Sequence, residues 1–300
     1  MKIFLTGATG YIGSSVAKFL AAKGNTVYGL LRNAAKEEEV KQLGIIPVIG
    51  TLEDNELISA YSKSSDIVIH TADADHRSAI ETMLAAMEGS GKTFIHTSGS
   101  SVVGDDVMGN YENQLIFNEK TLFTPMDVRV GRVAINNMVI NASTEKQIRT
   151  IVIVPSMIYG NSVGLNVQSD QLPVIYRKSK ELKKGVYLGK GINRWSNVHI
   201  EDLVDLYSLA LEKAEPGSYF YAENGEEPYH NLAAAISISL GFSGETISWK
   251  AEDALTELGD WARYALGSNS RVRAVNAREQ LNWTPHRQSI IKWILSNKEQ

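Results

Sequence analysis

Short apolar runs alternate with amphipathic stretches through the first half of the chain. "KIFLTG" is a compact apolar run closed by glycine, the pattern of a buried parallel strand. In "YIGSSVAKFLAAKG", Ile12, Val16, Phe19 and Leu20 share one helical face, and Gly24 closes the helix. "TVYGLL" predicts a second strand and "IIPVIG" a weaker third, demoted by Pro47. "NELISAYSKS" predicts a helix, for which Asp54 is the expected cap, and "DIVIHTA" a fourth strand. "HRSAIETMLAAMEGSG" predicts a helix, "KTFIHTS" a fifth strand, "DVRVGRVAINNMVINAS" a long helix and "RTIVIVP" a sixth strand. This alternation is that of an α/β chain built on a doubly wound parallel sheet, a Rossmann fold.

Past Pro155 the regularity fades. "YGNSVGLNVQSDQLP" is loop-rich, "NRWSNVHIEDLVDLYSLALEKA" returns to strand then helix, and "HNLAAAISISLG" and "SIIKWIL" predict further helices. The expected organisation is a Rossmann domain over residues 1–160 with a return segment at about 192–212. A smaller, interleaved C-terminal α/β lobe takes 161–191 and 213–300. No Pro/Ser linker separates the two, so they are expected to share a cleft.

Composition narrows the chemistry. The 300 residues contain no cysteine, which removes disulfides, thiolate metal sites and cysteine nucleophiles and fits a cytoplasmic setting. The net charge of −4, with no basic stripe, does not suggest a nucleic-acid partner. No apolar run reaches membrane-spanning length, and "KIFLT" is too short for the apolar core of a signal peptide.

The junction of the first strand and helix carries Gly7, Gly10 and Gly13, spaced G-x-x-G-x-x-G. In such a turn the first glycine permits the bend, the second lets backbone approach a pyrophosphate, and the third lets helix and strand pack closely. The helix N-terminus then offers free N–H groups to phosphate. Its place inside a βαβ unit makes a dinucleotide the expected ligand.

"TGATGYIG" resembles the T-G-x-x-G-x-x-G of the short-chain dehydrogenase/reductase superfamily, in its extended and atypical branches of NAD-dependent epimerase/dehydratase type. "DIVIHTA", "FIHTSG", "VPSMIYG", "WSNVHIEDLVDL" and "AREQLNWTP" resemble further motifs of that family, the last with Asn282 in place of glycine. The resemblance implies a nicotinamide cofactor against Gly7, Thr9, Gly10, Tyr11, Ile12 and Gly13. It extends that contact to Thr71 and Ala72, to Thr97, and to Pro155, Met157 and Ile158. It also implies dimerisation through helices near residues 77–88 and 130–142.

The end of the second strand selects between the two nicotinamide dinucleotides. NAD-preferring members hold a carboxylate there. Here Leu31 is followed by Arg32 and Asn33, and a guanidinium grips a 2′-phosphate, so NADP(H) is the expected cofactor. Thr51, followed by Leu52, replaces the aspartate that usually meets the adenine amine.

The family's catalytic Tyr-x-x-x-Lys is absent from its helix. Val128 falls where the tyrosine belongs and Arg132, which can still reach a ribose, where the lysine belongs. A literal Tyr176-x-x-x-Lys180 lies in the C-terminal lobe and reads as a surface helix with chance spacing. Candidate catalytic groups are Ser98 and Ser100, which flank the shifted serine position, and Tyr111 as acid; turn-forming serines remain the alternative. Tyr159 and His199 read as packing or lobe-interface residues with a smaller share of chemical roles, while Arg194 and Trp195 in "GKGINRW" read as pocket lining, with lobe packing the equal alternative for Trp195. No metal site is expected, because His70, His76 and His96 show no convergent spacing. Three readings follow: an NADP(H)-dependent oxidoreductase acting on a small carbonyl or alcohol, a non-catalytic NADP(H)-binding regulator, or a nucleotide-sugar epimerase/dehydratase.

Overall fold

The structure is a computed structural model and describes residues 1–166 and 168–297. In chain order its elements begin with β1 (Lys2–Thr6), α1 (Tyr11–Ala22), β2 (Thr26–Leu31), α2 (Glu37–Gln42), β3 (Ile46–Ile49), α3 (Asn55–Ser64) and β4 (Ile67–His70). Next come α4 (Arg77–Met87), β5 (Thr93–Thr97), α5 (Asp127–Glu145), β6 (Arg149–Pro155), β7 (Met157–Tyr159), α6 (Gln171–Leu182), β8 (Gly185–Leu188) and β9 (Arg194–His199). The chain ends with α7 (Ile200–Lys213), β10 (Ser218–Ala222), β11 (Glu226–Pro228), α8 (Tyr229–Ser239), β12 (Thr246–Trp249), α9 (Ala251–Leu258), α10 (Val275–Leu281) and α11 (Ile290–Ser296).

Seven strands form one parallel sheet in the order β10-β6-β5-β4-β1-β2-β3. The order reverses between β1 and β4, and ligands of such sheets sit at the carboxyl ends beside that reversal. β1, β4, β5 and β6 are almost continuously apolar and buried because helices cover both faces. Pro47 is accommodated because β3 is an edge strand, where a missing N–H leaves no broken ladder.

The seventh strand, β10, comes from the stretch that the sequence assigned to the C-terminal lobe. The segment at 192–212 instead gives β9, which pairs with β7 and β11 in a small sheet, and α7, which packs on α1. "GSYFYA" supplies a sheet strand because Phe220 and Tyr221 are fully buried against β6. Val272, Ala277, Leu281 and Trp283 likewise belong to the core of the large sheet. A second core, with Tyr159, Ile175, Tyr229, Ile236, Trp249 and Ile294, builds the lobe.

The two cores are tied by a clasp. Asp202, fully buried in the first turn of α7, accepts the backbone N–H of His286 at 3.0 Å and of Arg287 at 3.2 Å. Its carbonyl takes the Trp283 indole N–H at 3.0 Å. Asn282 ends α10 in the left-handed region (φ 54°), a conformation asparagine tolerates, so the replacement of glycine there keeps the turn. Among the described residues no helix is long and apolar enough to cross a membrane.

Candidate active site

A cleft of about 540 Å³ opens at the carboxyl ends of β1, β4, β5 and β6. The glycine turn forms its floor. Gly7 has φ +79°, which only glycine adopts without strain, and a Cβ on Gly13 would lie 2.1 Å from the Gly7 carbonyl oxygen. Gly10 caps α1 with no side-chain hydrogen bond, and no acidic residue stands in the first turn. The helix therefore presents open N–H groups and its positive end to the cleft, which suits a pyrophosphate.

The cleft brings together Gly10, Tyr11, Ile12, Gly13, Thr71, Ser98, Ser100, Arg132, Pro155 and Ile158 of the residues read from the sequence, with Trp195. Thr71 is fixed by donating its hydroxyl to the Thr6 carbonyl at 2.7 Å. The Tyr11 hydroxyl donates to the Gly160 carbonyl at 2.7 Å, and burial first, then Asp170, pushes its pKa up. Gly7 and Ala72 lie beneath the turn, in contact with each other.

The remaining candidates lie elsewhere. Arg32 and Asn33 are exposed just beyond β2, with the Asn33 side chain accepting the Ala35 N–H at 3.0 Å. Arg32 makes no ion pair among the described residues. Thr51 and Leu52 follow β3, and Thr9 is partly exposed in the glycine turn. Asp54 does not cap α3 with its side chain: its carboxylate turns back to accept the Thr51 N–H at 2.6 Å. The Thr97 hydroxyl is engaged by Tyr207 at 2.5 Å and Met157 is buried in the second core, so neither side chain lines the cleft. Tyr111, the acid expected from the sequence, does not line this cleft and is 60% exposed.

Two serines differ in availability. Ser100 shares its hydroxyl with Ser270 at 2.7 Å, whereas the Ser98 Oγ is buried without a partner. Val128 is half-exposed in the first turn of α5. Arg132 is anchored by Asp75, to which its Nε donates at 2.8 Å, and by the Ser101 hydroxyl at 3.2 Å; that guanidinium holds the Asp75 pKa down. Tyr176 and Lys180 face a separate cavity beside α6 and α11, away from the glycine turn. His70 and His96 do converge: they are register partners on β4 and β5, with ring centroids 5.7 Å apart. Both are buried, and His70 is held by Thr6 at 2.7 Å and the Asp73 carbonyl at 2.7 Å. Tyr159 donates to the Gln288 carbonyl at 2.7 Å, and His199 caps α7 by accepting the Glu201 N–H at 3.2 Å, so both have packing or capping partners. Asp202, Asp205 and His286 could meet a cation, but the Asp202 carboxylate is already engaged by backbone N–H groups.

Arg129, Trp261 and Tyr264, which no motif in the sequence marks, also line the cleft. Trp261 and Tyr264 sit at a π-helical turn, residues Ala262–Leu266, in a segment with no simple apolar period.

The sequence model of the NAD dependent epimerase/dehydratase family matches residues 3–220. An oxidase, ucsJ, of an Acremonium species is 29% identical, covering 97% of this chain and 94% of that one. A 4-hydroxy-2-methyl-3-oxo-4-farnesyl-3,4-dihydroquinoline-1-oxide ketoreductase of Stigmatella aurantiaca is 24% identical over 92% of this chain and 84% of its own. A dTDP-glucose 4,6-dehydratase of Bacillus anthracis, solved with NAD, superposes with a TM-score of 0.77 at 18% identity, covering 99% of this chain and 97% of that one. At that identity the likeness concerns the fold.

Proposed function

The chain belongs to the NAD dependent epimerase/dehydratase family, and from that premise we propose that it is an NADP(H)-dependent oxidoreductase interconverting a small carbonyl compound and its alcohol. The observation that carries this reading is the cleft itself, where the phosphate-binding turn and the unpartnered Ser98 hydroxyl share one cavity. The residues fit the cofactor: Gly13 admits no Cβ, and the N–H groups of α1 are uncapped. Gly10, Ile12 and Gly13 would hold the pyrophosphate. Thr51 and Leu52 would flank the adenine, and Arg132 the ribose of the nicotinamide. Arg32 and Asn33, beyond β2, would take a 2′-phosphate.

When bound, the nicotinamide supplies or accepts hydride. Ser98 would donate a hydrogen bond to the substrate oxygen, a role favoured over Ser100 because its hydroxyl is uncommitted. The retained cleft and the ketoreductase and oxidase relatives support this reading. The absence of a tyrosine at Val128 argues against the proton shuttle of a nucleotide-sugar epimerase. The same absence favours a second reading, an NADP(H)-binding regulator without turnover. Following NADPH absorbance with a panel of ketones and aldehydes separates the two. Consumption that depends on substrate, and falls on Ser98→Ala, is expected; binding of NADPH with no consumption across the panel would establish the regulator. Pairing of two copies through α4 and α5 is proposed by family likeness.

A further inference from the structure

Two guanidinium groups line the cleft, and they stand in different states. Arg132 is neutralised by Asp75 through two hydrogen bonds. Arg129, one turn before it on α5, makes no ion pair and no side-chain hydrogen bond among the described residues, and its Nε is buried without a partner. A buried N–H on a charged group costs free energy until an acceptor reaches it. Burial first, then the neighbouring charge of Arg132, works against the Arg129 cation. The Asp75 carboxylate, already held by Arg132, offsets part of this without accepting an Arg129 N–H. Asp170 also lines the cleft, but its charge is felt at Tyr11, at the glycine-turn end. Arg263, outside the cleft lining, is engaged by Asp106 and lies over the Tyr264 ring with its guanidinium carbon 5.3 Å from the ring centre.

The guanidinium is nevertheless held in place. Its carbon lies 5.7 Å from the centre of the Tyr264 ring, a contact that orients a planar cation without occupying its N–H donors. Trp261 continues the aromatic wall. Arg129 also sits in the first turn of a 19-residue helix, whose positive end adds to the local potential.

From this arrangement we propose that Arg129 is the carboxylate anchor of the substrate, so that the cleft takes an acidic carbonyl compound whose planar or aromatic part lies against Trp261. The proposal rests on the oxidoreductase reading above and names its substrate class. A carboxylate accepts from the guanidinium in forked geometry, which Lys reproduces only as a point charge.

The test uses two non-reacting probes, cinnamate and cinnamamide, titrated calorimetrically into the full chain saturated with NADP⁺. The wild type is expected to bind cinnamate about tenfold more tightly than the amide. Arg129→Met should abolish that preference and Arg129→Lys should keep part of it, while NADPH still stabilises both variants against heat. Equal binding of the two probes by the wild type, or no binding of cinnamate at millimolar concentration, would overturn the proposal. So would an undiminished preference in Arg129→Met. Loss of NADPH binding in a folded Arg129→Met would place the residue in the cofactor site instead. Failure of NADPH to bind the wild type would sink the oxidoreductase reading separately; discrimination between the probes without added dinucleotide would still report on Arg129.

Discussion

Single atoms decide whether this cleft works. A methyl on Gly13 meets the Gly7 carbonyl oxygen at 2.1 Å and the Thr71 hydroxyl at 2.5 Å, and the first of these is backbone. Gly13→Ala should therefore cost about 1–3 kcal/mol in urea unfolding and remove the stabilisation by dinucleotide. Ser98 behaves in the opposite way. Its hydroxyl has no partner to lose, so Ser98→Ala should leave stability within about 0.5 kcal/mol of wild type. Turnover of a carbonyl substrate should fall about 100-fold if the hydroxyl polarises it. Unchanged turnover in Ser98→Ala would remove that role. The glycine turn was legible in the sequence because its spacing is a local requirement of one βα junction. Arg129 and Tyr264 were not, since residues 135 apart in sequence meet only through the tertiary fold.

At the scale of elements, periodicity located the six strands and four of the five helices of the first half, missing the short α2, because buried parallel strands read as apolar runs and their crossover helices as amphipathic ones. It missed β7, β8, β11 and β12, strands of three or four residues whose pairing is fixed by partners far along the chain. It also missed the meeting of two histidines. His70 and His96 are each unremarkable at the end of an apolar run, and only the parallel register of β4 and β5 stacks them. Burial lowers both pKa values, His70 from 6.5 to about 4 and His96 well below its ordinary value, with His70 adding to the effect on His96. The unfolded chain therefore binds protons below pH 6.5 that the folded chain refuses. Their contribution to stability is complete above pH 6.5 and is lost as pH falls toward about 4. Each histidine contributes up to about 1.4 kcal/mol per pH unit in that window. Urea unfolding of the wild type between pH 7 and 5 should show this slope, and His96→Phe should flatten it by one histidine's share. Identical slopes in the two proteins would contradict it.

For the whole molecule, the lobe and the Rossmann sheet hold together through Asp202 of α7 and the segment 283–287 that it holds. Asp202→Ala would remove the buried carboxylate that accepts the N–H groups of His286 and Arg287. A loss of about 2–4 kcal/mol is expected, with protection of 283–296 against proteolysis lost first. If protease sensitivity of that segment is unchanged, the clasp does not hold the tail. The most direct test of the central claim, that this cleft holds NADP(H), is thermal unfolding with no ligand, with NADPH and with NADH. At ~100 times its dissociation constant, NADPH should add ~2.7 kcal/mol and raise the midpoint by a few degrees. NADH should give much less, and Arg32→Asp should erase the difference. No shift with either dinucleotide, in protein whose denatured supernatant shows no nucleotide absorbance, would contradict the claim.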